Sequence, residues 1–301
     1  MIDAKLQTFL CLCETKSYTK TAEILYITQP SVTNHIHLLE KMYKTKLFTS
    51  SNKNFGLTKA GILLRDYALK LKAMDNEFER IIKNINEKKN KFNFASTKNV
   101  INIFVKNFLP LWVRNNHDIE YNISVLDKDK ILNSLDNGSI DFAIIDYSLN
   151  NEDYISKEIF KSKIMIAVSQ DSPLSFHKKI KLSTIIPETL ICDDLNNGKM
   201  QFIEQQLNNK NLSLNKFKKI NQVDDMDVIL NLIKEDLGVG LIYEQEGLEE
   251  FKHQNISLIE LADIKDNVPF YFVYNKNNLQ KELLEQLSNE FIKLYKVASH
   301  L

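Results

Sequence analysis

Over roughly the first ninety residues apolar side chains recur at the three-and-four spacing of helices, and beyond them in short runs of strand length. Leu6, Phe9, Leu10 and Cys13 stand at i, i+3, i+4 and i+7, which predicts a first helix ending near Glu14. After the polar break at Lys16-Ser17, Ala22 and Leu25 share a side of a second helix, and the small Ala22 admits a close neighbour. Thr28-Gln29-Pro30-Ser31 opens a third, because Thr28 can cap the free amides and proline is tolerated in a first turn. Val32, Ile36 and Leu39 form one face of it, while at about 100° per residue Pro30, Asn34, His37 and Lys41 form the other, flanked by Ser31. Leu47-Phe48, the polar stretch 49–54, Gly56 and Leu57-Thr58 then read as a short hairpin wing with Lys53 at its tip.

From Thr58, placed as an N-cap, the chain runs to about Lys89 without a proline. Leu64, Tyr67, Leu71, Met74, Phe78, Ile81 and Ile85 alternate by three and four residues, a heptad seam. Such a helix is roughly 40 Å long, more than a small headpiece can cover. A homodimeric coiled coil is expected, the other reading being packing on the chain's own core. Residues 86–91 read as a charged hinge.

Past residue 91 strands and helices alternate, with strands expected at 92–95, 119–126, 140–145, 162–169, 189–192, 239–242 and 269–274. Gly138 closes a helix before the buried strand that follows it. Gly238-Val239-Gly240 follows a helical run and opens a strand, the reverse of a nucleotide-binding loop, and reads as a helix end. The fold class expected is α/β multidomain: a winged helix-turn-helix over 1–58, a linker helix and hinge over 59–91, and a two-lobed α/β domain over 92–301. Its lobes would be 92–168 with 268–301, and 169–267, the chain crossing near Val168 and Val268. Sites in such folds lie at strand carboxyl ends, in the crevice between lobes. That singles out Ser96, Thr97, Asp127, Ser169 and Asp193.

Charge sharpens this division. The net charge is zero, yet residues 1–91 carry 16 Lys/Arg against 9 Asp/Glu, so a polyanionic partner is expected for that segment alone. Arg is confined to Arg65, Arg80 and Arg114, and none lies on the third helix. Three cysteines are too few for a disulfide framework, and no apolar run approaches the ~18 residues of a membrane helix, so a cytoplasmic protein is expected. No metal-ligand or cofactor motif and no enzyme signature is present, and His35-Ile36-His37 is too close-set for a metal site.

The run Phe9, Ser17-Tyr18-Thr19, Ala22, Leu25, Thr28-Gln29-Pro30-Ser31-Val32-Thr33, Ile36, Leu39-Glu40, Leu47-Phe48, Leu57-Thr58 and Gly61 resembles the DNA-binding pattern of bacterial LysR-type regulators. Departures are Thr21 for a second alanine, Lys44 for glycine, Ser50 for a wing arginine, and Asn34 for a longer side chain. The resemblance implies a periplasmic-binding-like effector domain, dimers or tetramers, double-stranded operator DNA as partner, and RNA polymerase as a further candidate. DNA contacts are expected from Ser17, Lys20, Thr28, Gln29, Pro30, Ser31, Thr33, Asn34, His37, Lys41 and Lys53. Gln29 and Asn34 would read adenine, so an AT-rich interrupted palindrome is expected. The five strand-end residues would line an effector pocket. Ser96 and Thr97, facing a helix N-terminus, would grip a small anionic metabolite. The alternative is a winged-helix regulator that responds to oxidation of Cys192.

Overall fold

The computed structural model describes residues 3–49, 55–87, 90–149, 151–246, 255–264 and 266–298. Three helices, α1 (Ala4–Thr15), α2 (Tyr18–Ile24) and α3 (Gln29–Tyr43), close around Phe9, Leu12, Ile36, Leu39, Leu47 and Phe48. Polar side chains set their starts. Asp3 accepts from the Lys5 amide, Ser17 from Lys20 and Thr28 from Ser31, each satisfying an orphan donor of a first turn. Phe48 and Leu57 pair antiparallel as the base of the wing. Its tip, with Ser50 and Lys53, lies outside the described residues.

The linker helix α4 (Lys59–Glu87) starts at Thr58, whose Oγ1 accepts from the Gly61 amide at 3.0 Å. It ends at Glu87, and strand β1 (Asn90–Ser96) follows, so the expected hinge over 86–91 is taken up by regular structure at both ends. Leu64, expected to begin the dimer seam, is buried in the headpiece core instead. The other seam residues remain open in the single chain: Tyr67, Met74, Phe78 and Ile85 are exposed, and Leu71 and Ile81 half-buried.

The C-terminal domain contains two sheets. One orders β2 (Ile119–Val125), β1, β3 (Phe142–Ile145), β11 (Val268–Asn275) and β4 (Tyr154–Ser162). The other orders β6 (Lys179–Ile180), β10 (Ile256–Leu261), β5 (Ile164–Ser169), β9 (Val239–Tyr243), β7 (Thr189–Cys192) and β8 (Lys219–Gln222). Helices α5 (Lys98–Asn107), α6 (Leu109–Asn115), α7 (Lys128–Asp136) and α10 (Lys281–Ala298) belong to lobe I; α8 (Gly198–Asn208) and α9 (Met226–Lys234) to lobe II. Lobe I packs an aromatic core: fully buried Trp112, Phe104, Phe142 and Phe272 all lie within ring-contact distance of Phe291. Each such pair contributes about 0.5–1.5 kcal/mol beyond its burial.

The first crossover differs from the expected one near Val168. The chain leaves the first sheet after Ser162 and enters the second at Ile164, so Val168 and Ser169 lie inside lobe II. Past the helix end of α9 the left-handed backbone falls on Asp236, not on Gly238.

A second face of α4 lies on lobe I. Arg80 pairs with Asp141, and its Nη1 donates to the Gly138 carbonyl at 2.5 Å. Asn76 donates to the Asn137 carbonyl at 2.8 Å, and Glu77 accepts from the Leu279 amide at 2.7 Å. Gly138, at φ +67, sits so close that a Cβ would lie 2.6 Å from the Ala73 carbonyl. Only glycine meets both the turn and the approach. Arg80→Met leaves the buried Asp141 carboxylate unpaired and should destabilise lobe I by about 3–5 kcal/mol, measured by urea unfolding followed at Trp112, the single tryptophan.

Candidate nucleic-acid interface and inter-lobe cleft

With Val32, Ile36 and Leu39 locked into the headpiece, the opposite face of α3 projects outward. Gln29, Pro30, Thr33, Asn34, His37 and Lys41 are all exposed, as are Thr28 and Lys20. The first five line one shallow concavity at the N-terminal half of the helix. Ser17 and Ser31 are half-buried and serve locally. Ser17 caps α2, and Ser31 shares a 2.8 Å hydrogen bond with Thr28. His35 turns inward, its Nδ1 2.8 Å from Thr8 Oγ1. Tyr26 carries no motif in the sequence. It holds a left-handed φ of 53 in the turn before α3 and is 95% exposed, an aromatic side chain just ahead of the exposed face of α3.

A cleft of about 920 Å³ separates the lobes. Thr97 and Asp127, the residues preceding α5 and α7, line it from lobe I, and Asp193 lines it from lobe II. The other two expected pocket residues are elsewhere. Ser96 is fully buried and donates to the Ile144 carbonyl at 2.7 Å, because its side chain points into the sheet. Ser169 donates to the Lys234 carbonyl at 3.0 Å. It ends β5, which runs antiparallel to β9, so its carboxyl end lies away from the cleft. Lys98, Asp224, Asp227 and Glu246 also line the cleft. No spacing motif marks them; Lys98, Asp224 and Asp227 lie at or just before a helix start, and Glu246 follows β9 in a short turn.

At the cleft floor the lobes are pinned together. Tyr243, ending β9, donates from its hydroxyl to Asp146 Oδ2 at 2.7 Å, just past the end of β3. Gly198 opens α8 against the same residue, where a Cβ would lie 2.5 Å from the Asp146 carbonyl. Fully buried Lys199 stands 3.7 Å from Asp193 Oδ1. Glu246 accepts from the Tyr243 amide at 2.8 Å. Burial pushes the Asp146 and Glu246 carboxyls up, while Tyr243 and Lys199 respectively pull them down. Burial alone would lower the Lys199 ammonium; Glu246, Asp193 and Asp146 together outweigh it and keep the amine protonated.

Cys192 is buried, and burial raises its thiol to about 11, with Asp193 adding to the rise. Cys13 is raised to about 12 for the same reason, burial. Reactive thiols are lowered rather than raised, so the oxidation alternative is not favoured. Among the described residues no group of His, Cys, Asp and Glu is arranged to hold a metal ion. Nor is any described helix long and apolar enough to cross a membrane.

Residues 4–62 match the family model for bacterial regulatory helix-turn-helix proteins of the lysR family, and residues 86–294 match the LysR substrate binding domain. The chain belongs to the LysR family. Among LysR-like relatives, an uncharacterised helix-turn-helix transcriptional regulator of Methanocaldococcus jannaschii is 26% identical, covering 86% of this chain and 87% of its own. Full-length BenM superimposes with a TM-score of 0.61 at 18% identity, covering 100% of this chain and 98% of its own. A C206 mutant of Corynebacterium glutamicum OxyR gives 0.62 at 18%, covering 99% and 93%. These structures show that the LysR fold extends over the whole chain. It is a transcriptional regulator with a DNA-binding headpiece and an effector-binding domain.

Asp146 holds its proton more tightly in the folded chain than unfolded, since burial raises it. The stability it contributes is complete below the ordinary carboxylate value and is lost as pH rises through the raised one. Urea midpoints of Asp146→Asn should therefore fall less than those of the wild type between the ordinary carboxylate range and neutrality. An equal fall in both proteins would remove Asp146 from this role.

Proposed function

We propose that this regulator reads operator DNA as a homodimer, through the outward face of α3, and changes its grip when a small molecule occupies the inter-lobe cleft. The observation that carries the reading is the polar, exposed N-terminal half of a helix whose other face is fixed in a core, which is what entry into a major groove requires. Gln29 and Asn34 are its base readers, since both side chains pair bidentately with adenine. The absence of arginine from α3 disfavours guanine contacts, so AT-rich half-sites are the favoured targets. A DNA target supports a cytoplasmic site of action.

The exposed stripe Tyr67, Met74, Phe78 and Ile85 supports the dimer. Phe78 and Ile85 are exposed beside the faces that meet the headpiece and lobe I, Tyr67 and Met74 border the groove between α4 and lobe I, and apolar side chains in a regular heptad are buried by a second helix of the same kind. The cleft supports the effector, because only a ligand with different affinity for two lobe arrangements can shift between them. Lobe I is tied to the headpiece through α4, which gives such a shift a route to the DNA.

In a selection from a randomised palindrome library, Asn34→Ala should relax discrimination by about 1–3 kcal/mol at one base pair of each half-site. A uniform loss over all sequences would show that Asn34 contacts backbone only. Met74→Asp with Phe78→Asp should sediment as a monomer and bind a palindromic operator far more weakly. An unchanged dimer would move the interface off α4. For the effector, a thermal-shift screen of metabolites on the full chain should find a ligand whose addition also changes operator affinity.

A further inference from the structure

The walls of the cleft differ in charge. Among the described residues lobe I supplies Lys98, Lys128, Asp127 and Asp129, a neutral set. Among the described residues lobe II supplies Asp193, Asp194, Asp224, Asp225, Asp227 and Glu246, with no cationic side chain. Lys199 lies behind that wall, one ammonium against Asp146, Asp193 and Glu246, so it does not cancel the excess. Four helices, α5 and α7 from lobe I and α8 and α9 from lobe II, start at the cleft, and each N-terminus acts as about half a positive charge. The two on lobe II therefore offset about one of the negative charges that Asp193, Asp194, Asp224, Asp225 and Asp227 bring, with Glu246 left out of the sum because burial raises it. That wall stays strongly negative.

Some of these carboxylates serve the fold. Asp225 caps α9, accepting from the Asp227 and Val228 amides at 3.0 and 3.1 Å, and Asp194 accepts from Asn196 at 2.9 Å. Asp224 and Asp227 are exposed and form no ion pair among the described residues. Asp193 gives the second sign of a ligand. It is only 7% exposed and lines the cleft; its Oδ1 accepts from Asn197 at 2.7 Å and lies 3.7 Å from the Lys199 ammonium, while its Oδ2 has no hydrogen-bond partner among the described residues. A buried carboxylate oxygen left unmet is costly, and a cationic donor would satisfy it.

The lobe I wall has the opposite character. Neither Thr97 nor Asp127 makes a side-chain cap, so the first amides of α5 and α7 are not capped by these residues. Among the described residues Thr97 Oγ1 has no partner, and Lys98 stands next to it. A helix start without a side-chain cap and a free hydroxyl, beside a lysine, suit a carboxylate. No described set of side chains is arranged for a metal, which favours an organic cation for lobe II.

We propose that the occupant of the cleft is an amino acid with a cationic side chain. Its carboxylate sits at Thr97 and the start of α5, and its positive groups lie against Asp193, Asp224 and Asp227. The inference rests on the reading of the cleft as the effector site. It replaces the expected anionic metabolite by a molecule with an anionic end, since a dianion would meet repulsion from lobe II. A ligand with opposite ends on opposite walls draws the lobes together, which gives it the differential affinity that switching needs.

The test is calorimetric titration of the full-length protein with L-arginine, L-lysine, putrescine and glutarate. L-Arginine or L-lysine should bind once per chain. Asp224→Asn with Asp227→Asn should weaken that binding about tenfold to a hundredfold, and Thr97→Val, on the other wall, about two- to tenfold. Trp112 fluorescence checks that each variant is folded. Binding that neither variant weakens overturns the placement, and putrescine binding as tightly as L-lysine overturns the carboxylate end. Glutarate binding in place of the amino acids overturns the charge assignment yet keeps the cleft as the effector site. Binding of none of the four overturns the proposal, and the metabolite screen decides separately whether the cleft takes an effector at all.

Discussion

An ionised side chain withdrawn from water must be paired, or it costs several kcal/mol. At the junction of α4 and lobe I that demand falls on Asp141, which is 1% exposed, and Arg80 meets it from the helix. The Asn93 amide takes the second oxygen at 2.7 Å, so the carboxylate is held by β1 as well. Because Gly138 presses on the same stretch of helix, the angle between α4 and lobe I has little freedom. The remaining arrangement follows from this junction. It sets which side of α4 is left for a second chain and where the headpiece stands relative to the cleft.

Three environments are distributed around one helix. Ala60 and Leu64 join the headpiece core, Ala73, Glu77 and Arg80 meet lobe I, and Tyr67, Met74, Phe78 and Ile85 remain outside. A residue's position modulo the helical turn decides which of the three it joins, so neighbours in sequence act on different partners. Under the proposed function a 29-residue element would link DNA contact, subunit contact and ligand response without a separate domain for each.

Much of this was legible in the chain because periodicity reports burial directly. The α3 faces, the Thr58 cap and the Gly138 turn follow from local rules that tertiary packing did not override. Leu64 was misassigned because a heptad position says that a side chain is buried, not by which partner. The lobe crossover was misplaced for a related reason. In β4, Ile159 and Phe160 are buried in succession at a bulge opposite Phe270 and Tyr271, which breaks the alternation that announces a strand. With β4 unseen, its last residue merged with β5 across Lys163, and Ser169 was carried to the wrong side. Ser96 failed because a strand end has two faces and the sequence does not say which one a hydroxyl takes. Asp224, Asp227 and Glu246 come together only through the ordering of β7, β8 and β9, which no local pattern encodes.

The seam on α4 repeats every seven residues, whereas a straight helix needs slightly more than that to return to the same angle. The stripe therefore drifts by about 20° per heptad, and two such helices can keep their stripes in register only by winding about each other in a left-handed sense. The face that grips lobe I is fixed to the same helix, so it winds too. In a dimer joined along this seam, tightening or relaxing the supercoil would rotate one headpiece against the other about the long axis. The natural coordinate of such an assembly is torsion, and the phase of the two half-sites on the DNA helix is the quantity it would tune.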